Sequence, residues 1–71
     1  MNRDPLLDEL RRLEQEVVEA EGRLADHEAL LIQMRRRRED ISAAEAKLKM
    51  MREQQRERQQ DRLRLLSLLQ P

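Results

Sequence analysis

From Leu6 onward the apolar positions recur with spacing four, three, four, three: Leu6, Leu10, Leu13, Val17, Ala20, Leu24, His27, Leu31 and Met34. A repeat averaging 3.5 residues keeps one narrow seam of a helix facing another helix, which predicts a coiled-coil arm. His27 is the one polar residue in that series. A second series runs Ile41, Ala44, Leu48, Met51, Gln55, Arg58, Arg62, Leu65 and Leu69. Its ends are apolar and its middle is polar. A local phase shift near its end would bring Leu63 and Leu66 inward instead.

The two registers do not join. Continuing the first seam would put Arg38, Ile41, Glu45, Leu48 and Arg52 in the core, whereas the second requires Ala44 and Met51. One continuous helix would need a stammer, a locally overwound stretch. Ser42 to Glu45 also fits a capping box, with Ser42 as N-cap and Glu45 reaching back to it. Ile41 and Ala46 are spaced for a weak hydrophobic staple. Arg35, Arg36, Arg37 and Arg38 would set positive charge against the negative end of the first helix. These signals predict a bend around residues 38–41. No Gly or Pro marks the stop, so a straight helix in a parallel dimer is the alternative.

Asp4-Pro5 reads as a helix start, because Asp can accept from exposed backbone N–H groups and Pro at the first helical position loses no hydrogen bond. The expected fold is therefore all-α: an antiparallel two-helix coiled-coil hairpin forming a single domain over 1–71. Arm one covers about 5–37, the turn about 38–41 and arm two about 42–69. Folding at the bend sets Met34 near Ala44, Leu31 near Leu48 and His27 near Met51. Farther from the turn, Ala20 faces Arg58 and Val17 faces Arg62. Arg58 and Arg62 would lay their stems along the seam and send their guanidinium groups to Glu14, Glu16, Glu19 and Glu21.

Charge supports this folding back. Residues 1–34 carry nine acids and four bases, a balance of −5, and residues 35–71 carry eleven bases and six acids, a balance of +5. Complementary halves favour one lying against the other. Composition adds two limits. A chain of 71 residues without aromatic side chains or cysteine has little bulk for a core and no disulfide to staple it. No apolar run approaches the ~20 residues needed to span a bilayer. The first ten residues lack the apolar stretch of a signal peptide. A cytoplasmic protein without a membrane span is the expectation.

The leucines are in excess at one end. Leu6, Leu7, Leu10 and Leu13 would meet Leu63, Leu65, Leu66, Leu68 and Leu69 at the open end of the hairpin. Two helices cannot hide leucines that point in so many directions. A second hairpin, making a helical bundle, or another helical protein should cover them. An interfacial membrane helix would normally add Trp or Phe.

Other chemistry is sparse. His27 has no second His or Cys at ligand spacing, so no metal or other cofactor is expected. As a polar seam residue it would specify register, and its protonation would bring charge beside Met51. Arg35 to Arg38 could contact an anion, but Glu39 and Asp40 follow at once and no aromatic is present for base stacking. Nucleic acid is therefore disfavoured as a partner. The acidic residues of arm one show no metal-binding loop. Met34, Met50 and Met51 read as adaptable core filler. No nucleophile motif is present, and an enzyme is not expected.

The segments EGRLADHEALLIQM, SAAEAKLKMM and DRLRLLSLL resemble short uncharacterised proteins of rhizobium-type alphaproteobacteria. That resemblance implies two helical segments joined at a Ser or Thr cap, an Arg-Leu-Leu-rich end and a bacterial cytosolic setting. It implies no activity, cofactor or site. Relatives often carry Gly just before the cap, where this chain has Arg38, Glu39 and Asp40. The expected role is a non-enzymatic module for protein–protein interaction or structure. The alternative is a small regulatory protein that binds nucleic acid or another anionic partner through Arg35 to Arg38.

Overall fold

A computed structural model describes residues 4–70, so the outermost residues of the single-domain expectation lie outside the described part. Two helices, α1 (Pro5–Arg36) and α2 (Ser42–Leu69), pack against each other as an antiparallel hairpin. The chain bends, and the straight-helix alternative is excluded. The rod measures 56 × 17 × 14 Å.

α1 begins as its sequence dictates. Asp4 is extended (φ −67°, ψ 118°), its Oδ1 accepts from the Leu6 amide at 2.9 Å, and Pro5 follows at the first helical position. Asp8 adds negative charge to the first turn, and Arg35 and Arg36 add positive charge to the last, each complementing the helix dipole.

The turn is a Schellman motif built without glycine. The Glu39 amide donates to the Met34 carbonyl at 3.0 Å, and the Arg38 amide donates to the Arg35 carbonyl at 3.1 Å. Arg38 takes the left-handed conformation that closes this motif, with φ 58°. Glycine adopts it freely, whereas a side chain with a Cβ costs about 1 kcal/mol there. Two recovered carbonyl hydrogen bonds and the packing of both arms offset that cost.

The start of α2 differs from the capping box expected at Ser42 and Glu45. Ser42 is already helical, Ile41 occupies the cap position, and neither side chain caps the helix. Asp40 does so from one residue earlier. Its Oδ1 accepts from the Ser42 amide at 3.0 Å. The Ser42 amide and hydroxyl together hold the Asp40 carboxyl below its usual range. Glu45 turns away to Arg35, at 3.2 Å. The physical reason is competition. A guanidinium from the other arm is a stronger partner for Glu45 than a backbone N–H that Asp40 already satisfies. Ala46, expected opposite Ile41 in a staple, is exposed.

Every position of both seams is buried or half-buried, including His27, Gln55, Arg58 and Arg62. Leu10, Val17, Ala20, Leu31, Leu48 and Leu65 form the apolar core. No phase shift occurs near the end of α2. Leu65 stays in the seam, Leu63 is 61% exposed and Leu66 is half-buried beside the seam. Among the described residues no large side chain is completely enclosed. A two-helix rod leaves every core residue near water, as its size requires.

Candidate interaction surface

The polar centre of the seam is held by Gln55, which is 6% exposed. Its Nε2 donates to the Val17 carbonyl at 3.0 Å and to Glu21 Oε1 at 3.1 Å. Its Oε1 accepts from Arg58 at 3.2 Å. Among the described residues every buried side-chain nitrogen and oxygen has a partner. Arg58 therefore serves the buried amide rather than a glutamate, a departure from the expected pairing. Arg62 does reach a carboxylate, with Nε donating to Glu14 at 3.3 Å. Sequence reasoning placed Gln55 in the seam but did not see its role. The amide can donate to a carbonyl and a carboxylate at once, while Arg58 is long enough to bend back to it.

The remaining cross-helix ion pairs share one side of the rod. Arg52 meets Glu28 at 2.8 Å and Arg35 meets Glu45 at 3.2 Å. Glu14, Glu21, Glu28 and Arg35 recur at intervals of seven on α1, and Glu45, Arg52, Gln59 and Leu66 do so on α2. They form one flank of the seam. The exposed pairs each contribute up to about 1 kcal/mol, but they select this alignment over a shifted one. An open groove of about 610 Å³ follows the same flank, bordered by Glu28, Ile32, Arg35, Lys49, Arg52 and Arg56.

At the open end the leucines are only partly covered. Leu10 and Leu65 are buried, and Leu6, Leu7, Leu13, Leu66 and Leu69 are half-buried. Leu63 and Leu68 are each 61% exposed. The fold brings both ends of the chain's leucine-rich sequence together, and the helices do not enclose them.

Arg35 to Arg38 do not form one uniform patch. Arg35 is tied to Glu45, and Arg37 lies 3.8 Å from Glu39. Arg36 ends α1, and Arg38 occupies the left-handed turn position. His27 Nε2 lies 3.1 Å from the Ala44 carbonyl. A carbonyl can only accept, so this nitrogen carries the proton in the bond. His27, Leu30, Lys47 and Met51 border one shallow groove. Among the described residues, no group of three or more His, Cys, Asp or Glu side chains is placed to hold a metal. No described helix is long and apolar enough to cross a membrane.

No protein-family model matches the chain, and neither does any curated protein or solved structure. The resemblance carried by EGRLADHEALLIQM, SAAEAKLKMM and DRLRLLSLL rests on those segments alone.

Proposed function

We propose that the protein is a non-enzymatic coiled-coil hairpin that self-associates through its leucine-rich open end and serves a structural or adaptor role. The observation that supports this reading is the incomplete cover over Leu6, Leu7, Leu13, Leu63, Leu66, Leu68 and Leu69. Apolar surface removed from water contributes roughly 25 cal/mol per Å², so several leucines at one end supply a substantial drive to associate. A hairpin of this size gains from a partner what its own core cannot provide. A bacterial cytosolic setting belongs to the same proposal and rests on the family resemblance.

Light scattering over a range of concentrations tests it. A stable dimer or tetramer is expected. Leu66→Asp should shift the mass toward monomer, because a carboxylate would have to be buried at the contact. A wild-type chain that stays monomeric and helical at every concentration would remove self-association. A wild-type oligomer whose mass is unchanged by the substitution would remove the leucine end as its interface.

A second reading draws on Arg36 and Arg38, neither of which has a carboxylate partner among the described residues. These two side chains could meet an anionic partner such as nucleic acid. Binding to DNA across a salt series decides it. A steep loss of affinity with salt supports the reading, and no binding at low salt removes it.

A further inference from the structure

We infer that a second copy of this chain covers the Glu28–Arg52 flank, giving a four-helix bundle whose two-fold axis runs along the rod and whose two turns lie at the same end. This rests on the self-association proposed above and specifies its geometry.

The flank differs from its opposite in two ways. The residues outside the seam that lose substantial exposure are Leu7, Glu14, Gln59 and Leu66, and all four belong to this side. Large exposed apolar side chains border both flanks: Leu30, Met50 and Leu68 the opposite one, and Val18 at 70% exposure, Ile32 and Leu63 this one. Its charges are also segregated by helix. α1 presents Glu14, Glu21 and Glu28 and then Arg35 near the turn, whereas α2 presents Arg56, Arg52 and Lys49 and then Glu45 near the turn.

That segregation decides the symmetry. Two hairpins stacked on this flank can be related by a two-fold axis in the interface, either along the rod or across it. An axis along the rod lays α1 of each copy over α2 of the other and keeps every residue at its own level. Glu21 and Glu28 then lie over the second copy's Arg56, Arg52 and Lys49, and Arg35 lies over its Glu45. Val18 comes within about one helical turn of the second copy's Leu63. The leucine-rich ends adjoin. An axis across the rod instead stacks α1 on α1 and α2 on α2. Glu14, Glu21 and Glu28 would then face the same three glutamates of the second copy, its basic residues Lys49, Arg52 and Arg56 would be out of their reach, and the leucine ends would separate. The opposite flank cannot use the first arrangement well. There Glu16 and Glu19 lie at the level of Asp61 and Glu57, and Glu16 borders one groove with Asp61. Acid would meet acid across the axis.

The chain contains no cysteine, so Ala43→Cys, at an exposed site in the first turn of α2, carries one spin label per copy. Light scattering and a pulsed-dipolar distance are measured on the same sample. With helix axes 8–10 Å apart, turns at one end give a label separation below about 30 Å. Turns at opposite ends give about 45–50 Å, the length of an arm. A dimer with the short distance is expected. A dimer with the long distance overturns this geometry and leaves self-association standing. A monomer removes both. Independently, Lys49→Glu combined with Arg56→Glu should raise the dimer Kd about ten-fold or more while circular dichroism stays helical, since both side chains are exposed and neither has a carboxylate partner among the described residues. An unchanged Kd in that variant also overturns the arrangement.

Discussion

Gln55 of α2 donates from Nε2 to the backbone carbonyl of Val17 on α1, at 3.0 Å, in the middle of the seam. This contact ties a side chain to a particular level of the facing helix. A one-turn slide of either arm would break it and leave the buried amide unpaired, at a cost of about 1–3 kcal/mol. The polar centre of the seam therefore acts as a register pin.

Replacing that pin by an apolar side chain should separate stability from specificity. The Val17 carbonyl lies inside α1, where the helix ladder also supplies a donor, and Arg58 and Glu21 can turn to water. Gln55→Leu is expected to leave stability unchanged or raise it by about 1 kcal/mol. It should also widen the range of oligomers, because a continuous apolar seam accepts several alignments. Thermal unfolding and light scattering on the same sample check both parts. A large drop in Tm would contradict the first.

Arg38 holds a left-handed conformation, with φ 58°, that suits glycine. Arg38→Gly removes the Cβ strain and retains both backbone hydrogen bonds of the turn. Stability should rise by about 0.5–1 kcal/mol, the greater chain entropy of unfolded glycine limiting the gain. Denaturant midpoints measure it, and a decrease would mean that the Arg38 side chain makes a favourable contact of its own.

Gly22 lies inside α1 with open space where a Cβ would project. Gly22→Ala should stabilise the hairpin by about 0.8–1 kcal/mol, the usual difference between the two residues in a helix interior. A higher Tm, followed by circular dichroism, is the expected signature.

Asp40 caps α2 through the Ser42 amide, and Ser42 lowers its pKa from 3.8. A carboxyl with a lowered folded pKa holds fewer protons folded than unfolded. Its contribution is therefore present above pH 3.8 and is lost as pH falls through the lowered value. Asp40→Asn keeps an acceptor and removes the titration. Wild type should have the higher Tm at about pH 6, and the gap should close by about pH 2. High salt should shrink the gap at neutral pH, because Asp40 is exposed. A gap independent of pH would show that the charge contributes nothing. Ser42→Ala should act more weakly than Asp40→Ala, since Ser42 retains its backbone donor in the variant.

Both helices and both seams were legible in the sequence, which favoured a bend over the straight helix that the contacts between α1 and α2 exclude. Those features follow from local rules: apolar spacing of 3.5 residues, Asp4-Pro5 at the start, and two registers that cannot be joined without overwinding. The uneven leucine content was equally legible, because any antiparallel hairpin brings residues 6–13 beside residues 63–69. Packing of the two arms selected which polar groups meet. Glu45 had two available partners, Ser42's backbone and Arg35, and sequence spacing recognises the local one alone. Asp40 could cap α2 because Arg38 adopts a left-handed turn without glycine, a choice made by the packing of both arms against its strain. Arg58 turns to Gln55 because the amide is buried and needs a donor, whereas Glu16 and Glu19 are solvated and do not. Local periodicity sets where a side chain can point, but competition among partners across the seam sets what it touches.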